Sequence, residues 1–303
     1  MAKWMLDDAV DGNIYTVSQN REIKWSWQIE NKEIGIRHCR FNKHTDVRTW
    51  LRMLQADQRP VDLYMSTNLI DWREVPELPP PFRVPGKGYN RDGIARYKEL
   101  WDSWLTPSSC SKQGLDFNKI WIGKNMVWDF DHPELDKAFE WALAVYNHLK
   151  NELGLTPQMV FSGKKGFHVW LNHKQSAVLV GTNLEKLSKT DDDPLRTLGK
   201  LYAKKVKEIT FEATSEIHRS LDLSPNYRQG VIRIPYSINS SGQIVWPLSQ
   251  EDIDNLLSLD RWTPTTVAQK LHPADWKERW AKNNYIRGPA KNAFRRLLSV
   301  FTR

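Results

Sequence analysis

Asp129 and Asp131 stand one residue apart in MVWDFDHPE (126–134), within an otherwise apolar run. Alternate side chains of a strand share a face, so both carboxylates point one way while Trp128 and Phe130 point the other, toward a core. Adjacent carboxylates repel, and a hard divalent cation such as Mg²⁺ or Mn²⁺ removes that cost. Two such ions could activate a nucleophile and hold a departing phosphate oxygen. By itself the pattern is unspecific: Asp-x-Asp also occurs in nucleotide-sugar glycosyltransferases, in phosphatases and on plain edge strands.

A second cluster lies in FSGKKGFHVWL (161–171). Ser162, the backbone N–H groups of Gly163 and Gly166, and Lys164 and Lys165 are the parts of an oxyanion or triphosphate cradle. His168 opens the next strand, where it could donate to a phosphate or position a base. The spacing is not that of a P-loop, which needs Gly-x-x-x-x-Gly-Lys. The plainer reading is a tight hairpin with solvated lysines and a packed histidine. A third cluster, SLDLSPNYRQGVIRIPYSINSSGQIVWPL (220–248), holds a lone acid, Asp222, and then Arg233 and Ser237 on a second short strand. Asp222 would complete a set of three carboxylates, although lone strand acids commonly face solvent.

The elements that must position these groups alternate between strand and helix patterns. EIKWSWQI and IGIRHCRF, on either side of residues 30–33, predict a β-hairpin, and VDLYMS (61–66) another strand. Helices are predicted over 45–56 and 94–105, with a proline-rich loop over 76–85 between them. One or two strands follow over 119–131, then a helix from Pro133 to about Leu153, ended by Gly154. Asp191–Pro194 starts a further helix that reaches roughly His218, its acids reading as a solvated N-terminus favoured by the helix dipole. VIRIPYSI and QIVWPL add short strands, and the remainder is mostly helical. Such an order gives α+β or a mixed sheet.

Composition narrows the partners. Two cysteines, Cys39 and Cys110, exclude a disulfide framework and a cysteine-rich zinc site, and fit a reducing cytosol. No apolar run approaches a membrane span, and MAKWMLDDAVDG lacks a signal-peptide core, so a cytoplasmic, non-secreted protein is expected. Residues 261–303 carry ten Lys/Arg against Asp275 and Glu278, which equals the whole net charge of +8. A neutral body with a basic tail suggests a polyanion, nucleic acid first. The tail could equally dock on the body or on a partner subunit through Trp276, Trp280, Phe294, Leu297, Leu298 and Phe301. Of the fifteen tryptophans some could stack on bases, while most are expected to pack the interior.

Taken together, the three clusters resemble the archaeo-eukaryotic primase superfamily. VWDFD is similar to its first motif, a hydrophobic strand ending Asp-x-Asp. SGKKGFHVW follows the second, Ser-Gly-basic-basic-Gly-x-His-x-Trp, almost residue for residue, and the 220–248 block follows the third. REIKWSW, IGIRHCRF and VDLYMS are similar to its N-terminal motifs, so the likeness spans about residues 21–250 in order. It implies the superfamily's catalytic core, an RRM-like mixed or antiparallel sheet with an N-terminal α/β module. The core would occupy 1–260, with modules at about 1–110 and 111–260, and 261–303 would form a basic helical tail.

The resemblance also implies roles. Asp129, Asp131 and Asp222 would hold two divalent ions, Mg²⁺ or Mn²⁺. Ser162, Lys164, Lys165, His168 and Arg233 would bind the triphosphate of an incoming NTP or dNTP, and Arg37 would line the site. The implied reaction is template-directed nucleotidyl transfer that makes or extends primers on single-stranded DNA, with a helicase or large primase subunit as candidate partner and no membrane. Asn239 stands where replicative primases carry a histidine, their following lysine is missing, and no zinc site is expected. LDLSPNYRQGVIRIPYS is also similar to the polymerase domains of bacterial end-joining ligases, through Asn226 and Arg228. A repair polymerase is therefore one alternative, and a metal-dependent nuclease using the same acids is another.

Overall fold

The computed structural model describes residues 8–29, 32–41, 47, 61–76, 99–237 and 244–271. The basic tail beyond 271, Asn239 and most of the helix expected over 45–56 lie outside the described residues. Helix α1 (Asp8–Ser18) precedes strands β1 (Ile23–Ile29), β2 (Lys32–Cys39), β3 (Val61–Ser66) and β4 (Asn68–Ile70). Short helices α2 (Pro107–Lys112) and α3 (Phe117–Ile120) lead to β5 (Trp121–Lys124) and β6 (Met126–Asp131). Helix α4 (Leu135–Asn147) continues as a π-turn to Glu152, and β7 (Gln158–Phe161) and β8 (Gly166–Leu171) follow. Then come α5 (His173–Val180), α6 (Leu184–Leu187), α7 (Pro194–Thr214), β9 (Leu221–Asp222), β10 (Val231–Arg233) and β11 (Trp246–Pro247). Helices α8 (Gln250–Leu257) and α9 (Pro264–Leu271) close the described chain.

The fold is α+β, and every strand pairing recorded is antiparallel. One sheet has the order β10-β3-β1-β2, and the other β11-β7-β8-β6-β9. The pair β4-β5 lies between them in the chain. The expected hairpin is present, with Gln28 opposite Glu33 and Ile29 opposite Lys32. β10 returns to the first sheet, setting Ile232 opposite Met65. The N-terminal sheet is thus completed by a strand from the second half of the chain.

The five-stranded sheet has two unlike faces because its sequences alternate. Trp128, Phe130, Phe161, Phe167 and Val169 are fully buried. Each buried large side chain contributes about 1.5–3 kcal/mol. This face carries helices: the Trp128 indole donates to the Val206 carbonyl of α7 at 3.1 Å. The Phe139 ring of α4 meets Phe167 edge-on at 5.2 Å between centroids. Asp129, His168 and Asp222 occupy the other face.

Local chemistry sets the helix ends. Pro194 sits in the first turn of α7, where its missing N–H costs nothing, and the Asp193 carboxylate accepts from the Arg196 N–H at 3.2 Å. The sequence places the end of this helix near His218, but it stops at Thr214, where Ser215 turns left-handed at φ 63°. VIRIPYSI and QIVWPL form only a three-residue and a two-residue strand; Pro235 has no N–H with which to extend the first, while Pro247 lies within the second, opposite Val160. Trp101, Trp104, Trp121 and Trp128 are all buried, so these four pack the interior instead of stacking on a ligand.

Candidate active site

Register brings the sequence-distant residues together. Asp129 on β6 faces His168 on β8 on one side and Asp222 on β9 on the other, while Asp131 faces Gly166. Ladder neighbours on one face lie about 5 Å apart at Cβ. The three acids and the histidine therefore share one surface, at the edge formed by β9.

Their environments differ. Asp129 is 8% exposed, and burial pushes its carboxyl above the ordinary range. His168 opposes that shift, while Asp131 and Asp222 add repulsion. His168 Nε2 lies 3.2 Å from Asp129 Oδ1, within ion-pair reach but off hydrogen-bond geometry. That oxygen and His168 Nδ1 are both buried without a hydrogen-bond partner. Lys165 Nζ lies 2.8 Å from Asp131 Oδ2, and that contact raises the lysine pKa. Asp222 is exposed and accepts from Ser224, at 2.8 Å from its N–H and 2.7 Å from its hydroxyl.

Among the described residues no three carboxylate, imidazole or thiolate groups converge at metal-ligand spacing. Asp131 is turned to Lys165 and Asp222 to Ser224. The donor set nevertheless fits a divalent cation in its chemistry. It offers only hard oxygens, one of them buried without a hydrogen-bond partner, and they repel one another.

The loop between β7 and β8 is fixed by two glycines. Gly163 has φ +81°, a left-handed conformation. A Cβ on Gly166 would overlap the Phe130 carbonyl oxygen and the Asp131 carboxylate. The Ser162 N–H donates to the Gly166 carbonyl at 2.9 Å, and the Gly166 N–H to the Ser162 hydroxyl at 3.1 Å. Lys164 and Lys165 are exposed at the tip, whereas Ser162 and His168 are buried beneath them.

Arg233 stands apart, on the four-stranded sheet, where it is paired with Asp62 and lies 5.1 Å from the Tyr64 ring centre. Its charge still reaches Lys165, where it offsets a small part of the rise that Asp131 causes in that lysine's pKa. Arg37 is on β2, the far edge strand of the same sheet, and its side chain lies outside the described part. Asn226 is fully buried and completes the β6 edge, accepting from the Val127 N–H at 2.9 Å and donating to its carbonyl at 2.6 Å. Arg228 Nε lies 3.2 Å from Asp193 Oδ1. Both residues thus serve the fold here.

Sequence reasoning missed Lys124. It is 1% exposed, and Nζ donates to the Thr67 hydroxyl (2.6 Å), the Tyr227 carbonyl (2.9 Å) and the Asn68 side-chain oxygen (3.2 Å). Burial, with repulsion from Arg21, holds its pKa down at about 7. Thr67 in turn donates to the Pro225 carbonyl (2.7 Å), and Asn68 to the Arg228 carbonyl (2.7 Å). This knot pins the loop joining Asp222 to Arg233. A lysine enclosed in the apolar run KIWIGKNMVW was the only signal for it.

The DNA primase small subunit PriS of Pyrobaculum islandicum is 27% identical over an alignment of 172 positions, covering 45% of this chain and 55% of that protein. The chain thus spans about half the length of the curated relative it matches. The polymerase domain of Mycobacterium tuberculosis Ligase D, solved in complex with DNA, superposes with a TM-score of 0.49 at 13% identity, over 89% of this chain and 88% of that one. No family model matches the chain. Among the described residues no helix is long and apolar enough to cross a membrane.

Proposed function

We infer that this chain, similar to the DNA primase small subunit PriS over about half of that protein's length, is a member of the archaeo-eukaryotic primase superfamily and a template-directed nucleotidyltransferase that makes or extends primers on single-stranded DNA. The observation that carries the reading is the register that sets Asp129 between His168 and Asp222, with the glycine-bounded lysine loop beside Asp131. A 3′-hydroxyl attacks the α-phosphorus of an NTP or dNTP, the bond to the bridging oxygen breaks, and pyrophosphate leaves.

Asp129, Asp131 and Asp222 would hold divalent ions, Mg²⁺ or Mn²⁺, whose chemistry is to lower the hydroxyl pKa and stabilise the leaving oxygen. Lys165 exchanges its Asp131 partner for phosphate oxygens, and Lys164 adds charge at the loop tip. His168, beside Asp129 on the same face, would bind the nucleotide's phosphates while staying within ion-pair reach of that carboxylate. Arg233 would contribute charge from the four-stranded sheet. Positioning and electrostatics supply most of the rate.

The test is a single-stranded template with NTPs or dNTPs and Mg²⁺ or Mn²⁺, with and without a primer, resolved by product length. De novo products support a primase, and extension alone a repair-type polymerase. Asp129→Asn and Asp131→Asn should each lose synthesis, and wild-type-like products from either would remove the acids from the chemistry. Shortening of labelled DNA without nucleotides would indicate a nuclease instead.

A further inference from the structure

Directly after Asp222 the chain leaves the sheet edge and lines a cleft of about 250 Å³ against helix α7. Its walls are Lys200, Ala203, Lys204, Lys207, Leu223 and Tyr227. The three lysines recur at i, i+4 and i+7, so they share one helix face. The opposite face of α7 is committed to the core, where the Val206 carbonyl takes the Trp128 indole. All three lysines are exposed, and Tyr227 is 47% exposed. Lys204 has Glu208 at 3.8 Å, a carboxylate it shares with Lys205 at 2.6 Å. Among the described residues Lys200 and Lys207 have no ion-pair partner.

An exposed aromatic ring beside a row of three exposed cations, two of them without an ion-pair partner among the described residues, over an apolar floor, matches a chain that alternates flat bases with phosphates. At 1.5 Å per residue the lysine row extends about 10 Å, roughly three nucleotides at 3.4 Å each. We infer that this groove is a track for single-stranded DNA, with Lys200, Lys204 and Lys207 on the phosphates and Tyr227 as a base-stacking platform. What the bound strand is used for rests on the nucleotidyltransferase reading: α7 packs on the sheet face opposite the acids, and Leu223, next to Asp222 in the chain, connects the track to them. The binding itself does not.

The test is fluorescence anisotropy of a labelled oligo-dT with the full chain, without nucleotides or divalent metal, over a series of salt concentrations. The triple variant Lys200→Gln/Lys204→Gln/Lys207→Gln should lower the slope of log K against log salt by about 2, near 0.7 per phosphate contact on a single strand. At 0.1 M salt that is about a hundredfold weaker binding. Lys112→Gln/Lys119→Gln/Lys174→Gln removes the same charge from other exposed sites and should leave binding near wild type. Tyr227→Ala should weaken binding about tenfold, and Tyr227→Phe should not. Equal effects of the two triple variants, or unchanged binding in the groove variant, overturn the track. Groove-dependent binding by a protein that makes no product overturns the polymerase reading and leaves the track standing.

Discussion

Replacing Lys124 by Met keeps an unbranched side chain in the same space and removes the buried ammonium. The magnitude follows from linkage. An unfolded lysine titrates near 10.5 and the buried one at about 7, so between these values the unfolded chain holds a proton that the folded chain has released. Wild-type stability therefore rises with pH across this window, by up to about 1.4 kcal/mol per unit and about 5 kcal/mol in full. Between pH 7 and 9 the expected gain is roughly 2 kcal/mol. Three acceptors surround Nζ, and a neutral amine has only two protons for them. Full deprotonation thus leaves one acceptor unserved, which sets the gain as an upper value. Urea unfolding of wild type and Lys124→Met at both pH values reads the effect. The stability difference should widen in favour of wild type at pH 9. A difference independent of pH would refute the assignment of a depressed, buried lysine.

Three further outcomes follow from the site. Asp129→Asn should raise Tm by a few degrees even as it removes synthesis, because burial and two neighbouring acids disfavour the carboxylate. With the folded pKa raised, its destabilising effect develops as pH climbs through that pKa, so the gain should appear at neutral pH and vanish in acid, as thermal melts will show. Gly166→Ala should cost about 1–3 kcal/mol by overpacking against backbone and should displace Asp131, read by urea unfolding together with primer extension. His168→Ala should raise the apparent KM for nucleotide more than it weakens DNA binding. An unchanged KM would take His168 out of the nucleotide site.

Strands with clean alternation were legible in the sequence: MVWDFD, GFHVWL and VDLYMS all form ladders where their patterns place them. The hairpin loop was legible too, because only glycine satisfies both its left-handed turn and the close approach to Phe130. Pairing across the chain was not. Nothing local says that VIR should leave the acids' sheet and lie against VDLYMS. The placement of Arg233 beside Asp62 escaped for the same reason. Lys124 escaped because a buried cation among neutral acceptors has no charge pattern to reveal it.

The return of β10 to β3 has a consequence for biosynthesis. Until residue 233 has left the ribosome, the N-terminal sheet presents β3 as an open edge, with unpaired backbone groups facing whatever strand is nearby. Met65 must wait for Ile232, a separation that puts this contact among the last to form. A nascent or truncated chain ending before 231 should be the aggregation-prone species, and a fragment of the first 110 residues should not be a foldable unit.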